Sequence, residues 1–271
     1  MSLLSERLQQ IRSRGGKALI PFVVAGDPDL ETSRSVLIEL ARGGAAVIEV
    51  GVPFSDPAAD GPTIQRAAER ALAHGTRLSD VLELGRDVFR ETGVPLVLFS
   101  YLNPLLQYGL QKLVDELPGS GFSGVLVTDL PHEESEAFDR MLAARDIALI
   151  PLVAPTTTDV RLEAIVSRSR GFVYAISRSG VTGAADRTPK DARALVARVR
   201  RYTDSPVAVG FGISSPEQVA EVWTYADAAI IGSALVSKIE KHATQSDLLE
   251  HLRKYFASLQ PSEVPNVNRN A

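Results

Sequence analysis

A glutamate set among valines and an isoleucine offers this chain its clearest opportunity for chemistry. Glu49 stands in AVIEVGV (46 to 52), an apolar run of strand type. Strand alternation puts it on one face with Val47 and Gly51, and puts Ile48 and Val50 on the other. If the second face packs on helices, Glu49 points into the interior. An ionised carboxylate is costly there, so its pKa should climb toward neutrality, where a general acid or base works best. The alternative is a structural glutamate paired with an interior Lys or Arg, yet none of the strand-like runs contains either residue. Strongly perturbed carboxylates cluster at functional sites.

A second carboxylate follows closely. Asp60 lies in SDPAADG (55 to 61), a loop that can fold back over Glu49, and two carboxylates in different environments can divide the labour of one reaction. Asp56 shares that loop, where an Asx turn or a solvated charge is the default role. Other polar residues at or beyond the ends of the runs are Ser55, Tyr101, Asn103, Asp129, Ser177, Arg178, Ser179, Thr182 and Ser233.

The elements that must position these groups are eight short apolar runs. They are ALIPFVVAG (18 to 26), AVIEVGV (46 to 52), PLVLFSY (95 to 101), GVLVTD (124 to 129), IALIPLVA (147 to 154), GFVYAIS (171 to 177), PVAVGFG (206 to 212) and DAAIIGS (227 to 233). Continuous apolarity indicates strands covered on both faces, and helix-like segments such as LETSRSVLIELARGG separate most of them. A doubly wound open sheet shares this pattern, but eight βα units in a chain of 271 residues match a single-domain (β/α)8 barrel. The expected barrel spans 1–258, with an additional helix at the N-terminus, elaborated loops after the second and sixth strands, and a frayed polar tail over 259–271. Two helical stretches, PTIQRAAERALAHG and RLSDVLELGRDVFRETG, fill the longest gap, between the second and third runs.

Barrel active sites lie at the C-terminal ends of the strands. Glycines punctuate three of those ends, in SRSGVTGAAD, GFGISSPEQV and IIGSALV. Each could simply terminate a strand, but together, with a helix starting at Ser233, they suit an anion or phosphate. Phe22, Phe99, Tyr101, Tyr174 and Phe211 fall within or at the ends of runs, where core packing is the default and a flat apolar ligand the alternative.

Composition narrows the partners. The chain is 45% apolar with net charge −4, from 29 basic and 33 acidic residues spread along its length, so no basic stripe points to nucleic acid or an anionic membrane. It contains no cysteine, which excludes thiolate chemistry and disulfides. Its four histidines show no metal-ligand spacing, and HEES at 132 is not HExxH, so no metal site is expected. Neither a signal-peptide core nor a run of about 18 apolar residues is present, and a cytoplasmic protein is expected.

IEVGVPFSDPAADGPTIQ (48 to 65) resembles the signature of the tryptophan synthase alpha subunit family, and PFVVAGDP, YLNPLLQYG, VTDLPHEES, SRSGVTG, VGFGIS and IIGSALV resemble that family's segments in the family's order. The resemblance implies a phosphate-binding barrel that cleaves indole-3-glycerol phosphate to indole and glyceraldehyde 3-phosphate without metal or organic cofactor. It places the family's acid/base on Glu49 and its catalytic aspartate on Asp60. It places the phosphate contacts on Gly183, Gly212, Gly232 and Ser233, and the indole pocket on Phe22, Phe99, Tyr101, Leu126, Thr128, Leu152, Tyr174 and Phe211. Thr182 would contact Asp60 on loop closure, while Pro53 and Asp56 would face a beta subunit that carries pyridoxal phosphate and receives the indole. An independent indole-producing lyase and a non-catalytic activator of a beta subunit are the rival readings.

Overall fold

In the computed structural model, which describes residues 2–176, 189–210 and 212–260, the apolar runs form one parallel sheet. Its strands are β1 (Ala18–Val24), β2 (Ile48–Gly51), β3 (Leu96–Ser100), β4 (Phe122–Val127), β5 (Ala148–Leu149), β6 (Leu152–Val153), β7 (Val173–Ile176), β8 (Val207–Gly210) and β9 (Ala228–Ile231). Their order is β5-β4-β3-β2-β1-β9-β8-β7-β6.

The fifth run thus yields two strands of 2 residues each where one was expected. Pro151 is the cause, because its nitrogen has no hydrogen to give a ladder. The break does not open the sheet. The Ile150 N–H donates to the Val125 carbonyl at 2.8 Å, and the Pro151 carbonyl accepts from the Tyr174 N–H at 2.9 Å. The two ends of the strand order are therefore halves of one run, bonded to β4 on one side and to β7 on the other, and the sheet is a closed (β/α)8 barrel.

Alternation sorts the runs into two faces. Ala18, Ile20, Val47, Val97, Leu126, Ala148 and Ile150 meet inside the barrel. Leu19, Val23, Ile48, Val50, Leu96 and Leu98 pack outward against the helices. Burial of both faces is why the runs carry almost no polar residues. The expected N-terminal helix, Leu3–Ser13, begins at Ser2, whose hydroxyl accepts from the Ser5 N–H, and it sends Leu4 and Leu8 into the interior cluster. At the other end of the chain, Leu259 is fully buried and the Gln260 amide donates to the Gly43 carbonyl, so the packed body runs past the expected boundary at 258.

Both expected helices after β2 are present, Pro62–Ala73 and Leu78–Thr92. The first starts on Gly61 with proline at its first position, where a missing N–H costs nothing. It is tied in place by Arg70, which donates to both Asp27 carboxylate oxygens, at 2.8 and 3.0 Å, and to Glu240 at 2.8 Å. Arg66 holds the same Glu240 bidentately. This network joins the segment after β1, the helix behind the Asp60 loop and the helix Ser233–His242. Asp27 is almost wholly buried, and burial raises its pKa more than Arg70 lowers it. Arg70→Met would leave that carboxyl buried without its main partner. The expected cost is about 3 kcal/mol, read as a lower urea midpoint with unchanged slope.

Candidate active site

Glu49 sits at the level of Phe22 in β1 and Val97 in β3. Its exposure is 0%, and neither carboxyl oxygen has a hydrogen-bond partner among the described residues. Nothing therefore offsets the loss of water, and burial alone pushes its pKa up to about 8. Burial therefore favours its protonated form at neutral pH. Inward orientation, and the lack of a cationic partner among the described residues, both agree with the expectation from alternation and composition.

Asp60 comes from the loop between β2 and the helix Pro62–Ala73. That loop is pinned where the Ala59 N–H donates to the Tyr101 hydroxyl oxygen at 2.9 Å, while the same hydroxyl donates to the Asp60 carboxylate. Burial raises Asp60 to about 6, and the Tyr101 hydrogen bond holds it below what burial alone would give. Burial thus pushes Glu49 further up than Asp60, an ordering suited to one proton donor and one carboxyl that keeps its charge more readily. Tyr174 lies within the field of both: its hydroxyl pKa is raised first by burial, then by Glu49 and by Asp60.

Aromatic rings stand beside Asp60, and one of them, Phe22, is also the β1 register partner of Glu49. Phe22 and Phe99 meet edge to face at 5.0 Å, and Phe54 lies against Tyr101 at 5.2 Å. Phe22, Phe54, Asp60, Phe99 and Tyr101 line one small cavity of about 10 Å³. Leu126 is fully buried beneath, in contact with the cluster that Phe99, Leu152 and Tyr174 cap. Gly51 makes room for the Phe22 ring, since a Cβ there would stand 2.8 Å from its Cζ; Gly210 does the same for the Tyr174 hydroxyl, at 2.4 Å from such a Cβ. A lone glycine in an apolar strand was the available signal for this close approach. Phe54, Gly51 and the hydroxyl role of Tyr101 were not among the functional features read from the sequence.

A larger cavity of about 390 Å³ lies where the fifth run breaks, lined by Thr128, Pro151, Leu152, Arg161 and Ile176 among others. It shares Thr128 and Leu152 with the expected indole pocket but is lined by neither Glu49 nor Asp60. Thr128 is also anchored to the Ser100 carbonyl, at 3.4 Å through its hydroxyl. Asp129 is structural: its carboxylate accepts the Leu102 N–H at 2.7 Å, fixing the start of the helix Leu102–Tyr108.

The anion-binding candidates fall at the ends of β8 and β9. Gly212 is exposed with φ of +45°, a conformation that favours glycine. Gly232 immediately precedes the helix Ser233–His242, whose first N–H groups have no intrahelical acceptor. Gly183, Thr182 and Phe211 lie outside the described residues. Of the two expected interface residues, Asp56 is exposed and accepts from the Ser55 hydroxyl at 2.5 Å, whereas Pro53 is buried within the chain and offers little surface.

Known proteins resemble this chain in sequence and fold. A family model described as tryptophan synthase alpha chain matches residues 8–262. A chain of that name from Synechococcus elongatus is 46% identical over 246 residues, covering 90% of this chain and 92% of that one. Another, from Carboxydothermus hydrogenoformans, is 47% identical over 242 residues, covering 89% and 91%. A structure of Mycobacterium tuberculosis tryptophan synthase matches with a TM-score of 0.87 at 38% identity, covering 95% of this chain and 96% of that one. The tryptophan synthase subunit alpha of Legionella pneumophila matches with a TM-score of 0.89 at 34% identity, covering 96% and 97%.

Proposed function

The chain belongs to the tryptophan synthase alpha chain family, lyases that cleave indole-3-glycerol phosphate to indole and glyceraldehyde 3-phosphate beside a beta subunit, and we propose that Glu49 and Asp60 carry that cleavage here. Protonated Glu49 delivers its proton to indole C3, the bond from C3 to the glycerol carbon breaks, and the glycerol hydroxyl gives its proton back to the carboxylate as the aldehyde forms. Atoms and charge balance, and Glu49 ends as it began. Asp60 remains ionised and opposes the positive charge that develops at the indole N–H. The observation that carries this assignment is the buried, unpartnered carboxyl of Glu49.

The remaining roles follow the shape of the substrate. Gly183, Gly212, Gly232 and Ser233 bind its phosphate, with the helix dipole at Ser233 adding to the backbone donors. Phe22, Phe99, Tyr101, Leu126, Thr128, Leu152, Tyr174 and Phe211 enclose the indole, which is apolar enough to need shelter from water. Thr182 closes on Asp60 when substrate binds. Asp56 faces the beta subunit, with Pro53 packed behind it as support. The step involves no redox change, and the indole ring itself accepts the electron pair, so we assign no cofactor to this chain and pyridoxal phosphate to the partner.

An indole-release assay with purified chain, alone and with a beta subunit, tests the reading. Release is expected in both arms and faster with the partner. Beta-subunit activation without any release would instead mark a non-catalytic scaffold.

A further inference from the structure

The sequence shows no metal-ligand spacing among its histidines because the donors that meet in space are separated by a turn. His242 ends the helix Ser233–His242, Asp247 immediately precedes the helix Leu248–Ser258, and His251 lies in the first turns of that second helix. Buried Ile239, Leu248 and Leu252 anchor both helices in the main core, so the two rings are presented by fixed backbone. The rings stack with centroids 4.1 Å apart and planes 26° from parallel. His242 Nδ1 lies 2.6 Å from Gln245 Oε1, and His251 Nε2 lies 3.1 Å from Asp247 Oδ2. One nitrogen from each ring and one Asp247 oxygen lie within 4.8 Å of one another.

We propose that His242, Asp247 and His251 form a surface site for a divalent transition cation of the zinc class, held across the turn between the two helices. Two imidazoles and a carboxylate, without thiolate, suit Zn²⁺, Co²⁺, Ni²⁺ or Cu²⁺ and disfavour Mg²⁺ and Ca²⁺, which want oxygen alone. Three protein donors leave a fourth position for water. Tetrahedral zinc, with bonds of about 2.0–2.1 Å, needs donors roughly 3.4 Å apart. Half-buried His242 and the exposed Asp247 and His251 can close the remaining ångström or so by side-chain rotation alone. Gln245 has the second role such sites require, since accepting from Nδ1–H leaves the His242 lone pair on Nε2. Two lysines a turn away on the same helices are engaged elsewhere: Lys254 pairs with Glu250, and Lys238 sits over the Tyr255 ring. The site lies at the C-terminal end of a helix of 10 residues whose other end is the proposed phosphate contact, roughly 15 Å away. It therefore binds independently of cleavage and acts as a staple on the folded state.

The test uses full-length chain without an affinity tag, stripped with EDTA and titrated calorimetrically with ZnCl₂. One zinc per chain is expected, with Tm raised by roughly 2–4 °C at saturation. His242→Ala and His251→Ala should each weaken uptake roughly tenfold or more, and His74→Ala should not. CoCl₂ should give visible tetrahedral absorption bands that vanish in the same two variants, while their indole release stays at the parent rate. Absence of uptake overturns the proposal. So does equal uptake by the His242→Ala/His251→Ala double variant, which would mean adventitious zinc elsewhere, and so does competition by MgCl₂ at equal concentration.

Discussion

Glu49→Gln is expected to lower indole release by roughly 10²–10⁴-fold, the range for losing a positioned acid, while leaving beta-subunit binding intact. The amide keeps the shape of the carboxyl but has no proton to exchange with indole C3 or the glycerol hydroxyl. Stability supplies an independent readout. The folded-state pKa of Glu49 is raised to about 8 from the ordinary 4.5. Its contribution is therefore fully present below pH 4.5, and is lost as pH rises through 8, because the unfolded chain releases the proton and the folded chain retains it. The substituted amide does not titrate. It does lie buried without a partner, but that cost is the same at every pH. The variant's stability relative to the parent should consequently grow by about 3 kcal/mol between pH 5 and pH 8 in urea unfolding. A near-parental rate would sink the acid/base assignment. A stability difference that stays flat with pH would show that the carboxyl is ionised and paired in solution.

The same residue shows what the sequence made legible. A charge inside an apolar run, with its facing determined by alternation and with no Lys or Arg in any run, is local information, and Val47 and Ile48 do fall on opposite faces as that rule requires. The barrel was legible for the same reason: the repeat of runs and helices needs no knowledge of distant contacts. What escaped depended on tertiary placement. The loop that presents Asp60 is held by Tyr101, 42 residues beyond its bonding partner Ala59, and no local pattern announces that bond. Pro53 was expected to face a partner, yet at the start of a loop whose Ser55, Asp56, Ala58 and Ala59 are exposed it is itself buried within the chain. Pro151 was visible inside IALIPLVA, but its effect on pairing emerges only once neighbouring strands are assigned. The His242 and His251 pair lies on different helices, outside any spacing rule drawn from a single helix or strand.

The parent enzyme's kcat/KM should be bell-shaped in pH, with limbs set by Asp60 near 6 and Glu49 near 8, since the proposed mechanism needs the first ionised and the second protonated. Asp60→Asn removes the fixed charge and should reduce turnover by roughly 10²–10³-fold, the scale of losing one electrostatic stabiliser of the transition state. It should leave KM nearly unchanged, because the proposed phosphate contacts Gly212, Gly232 and Ser233 lie at the ends of β8 and β9, apart from the Asp60 loop. The acid limb should vanish with it, while the limb near 8 persists. Tyr101→Phe separates charge from position. Its hydroxyl lowers the Asp60 pKa, so deleting it should shift the acid limb upward and leave turnover on the plateau less affected than in Asp60→Asn. It also removes the acceptor for the Ala59 N–H, so a rise in KM would report looser loop placement, distinct from the shift in the limb. An unchanged rate in Asp60→Asn would reduce the loop aspartate to a structural role. An acid limb that survived the substitution would belong to another group, and the division of protonation states between the two carboxyls would lose its basis.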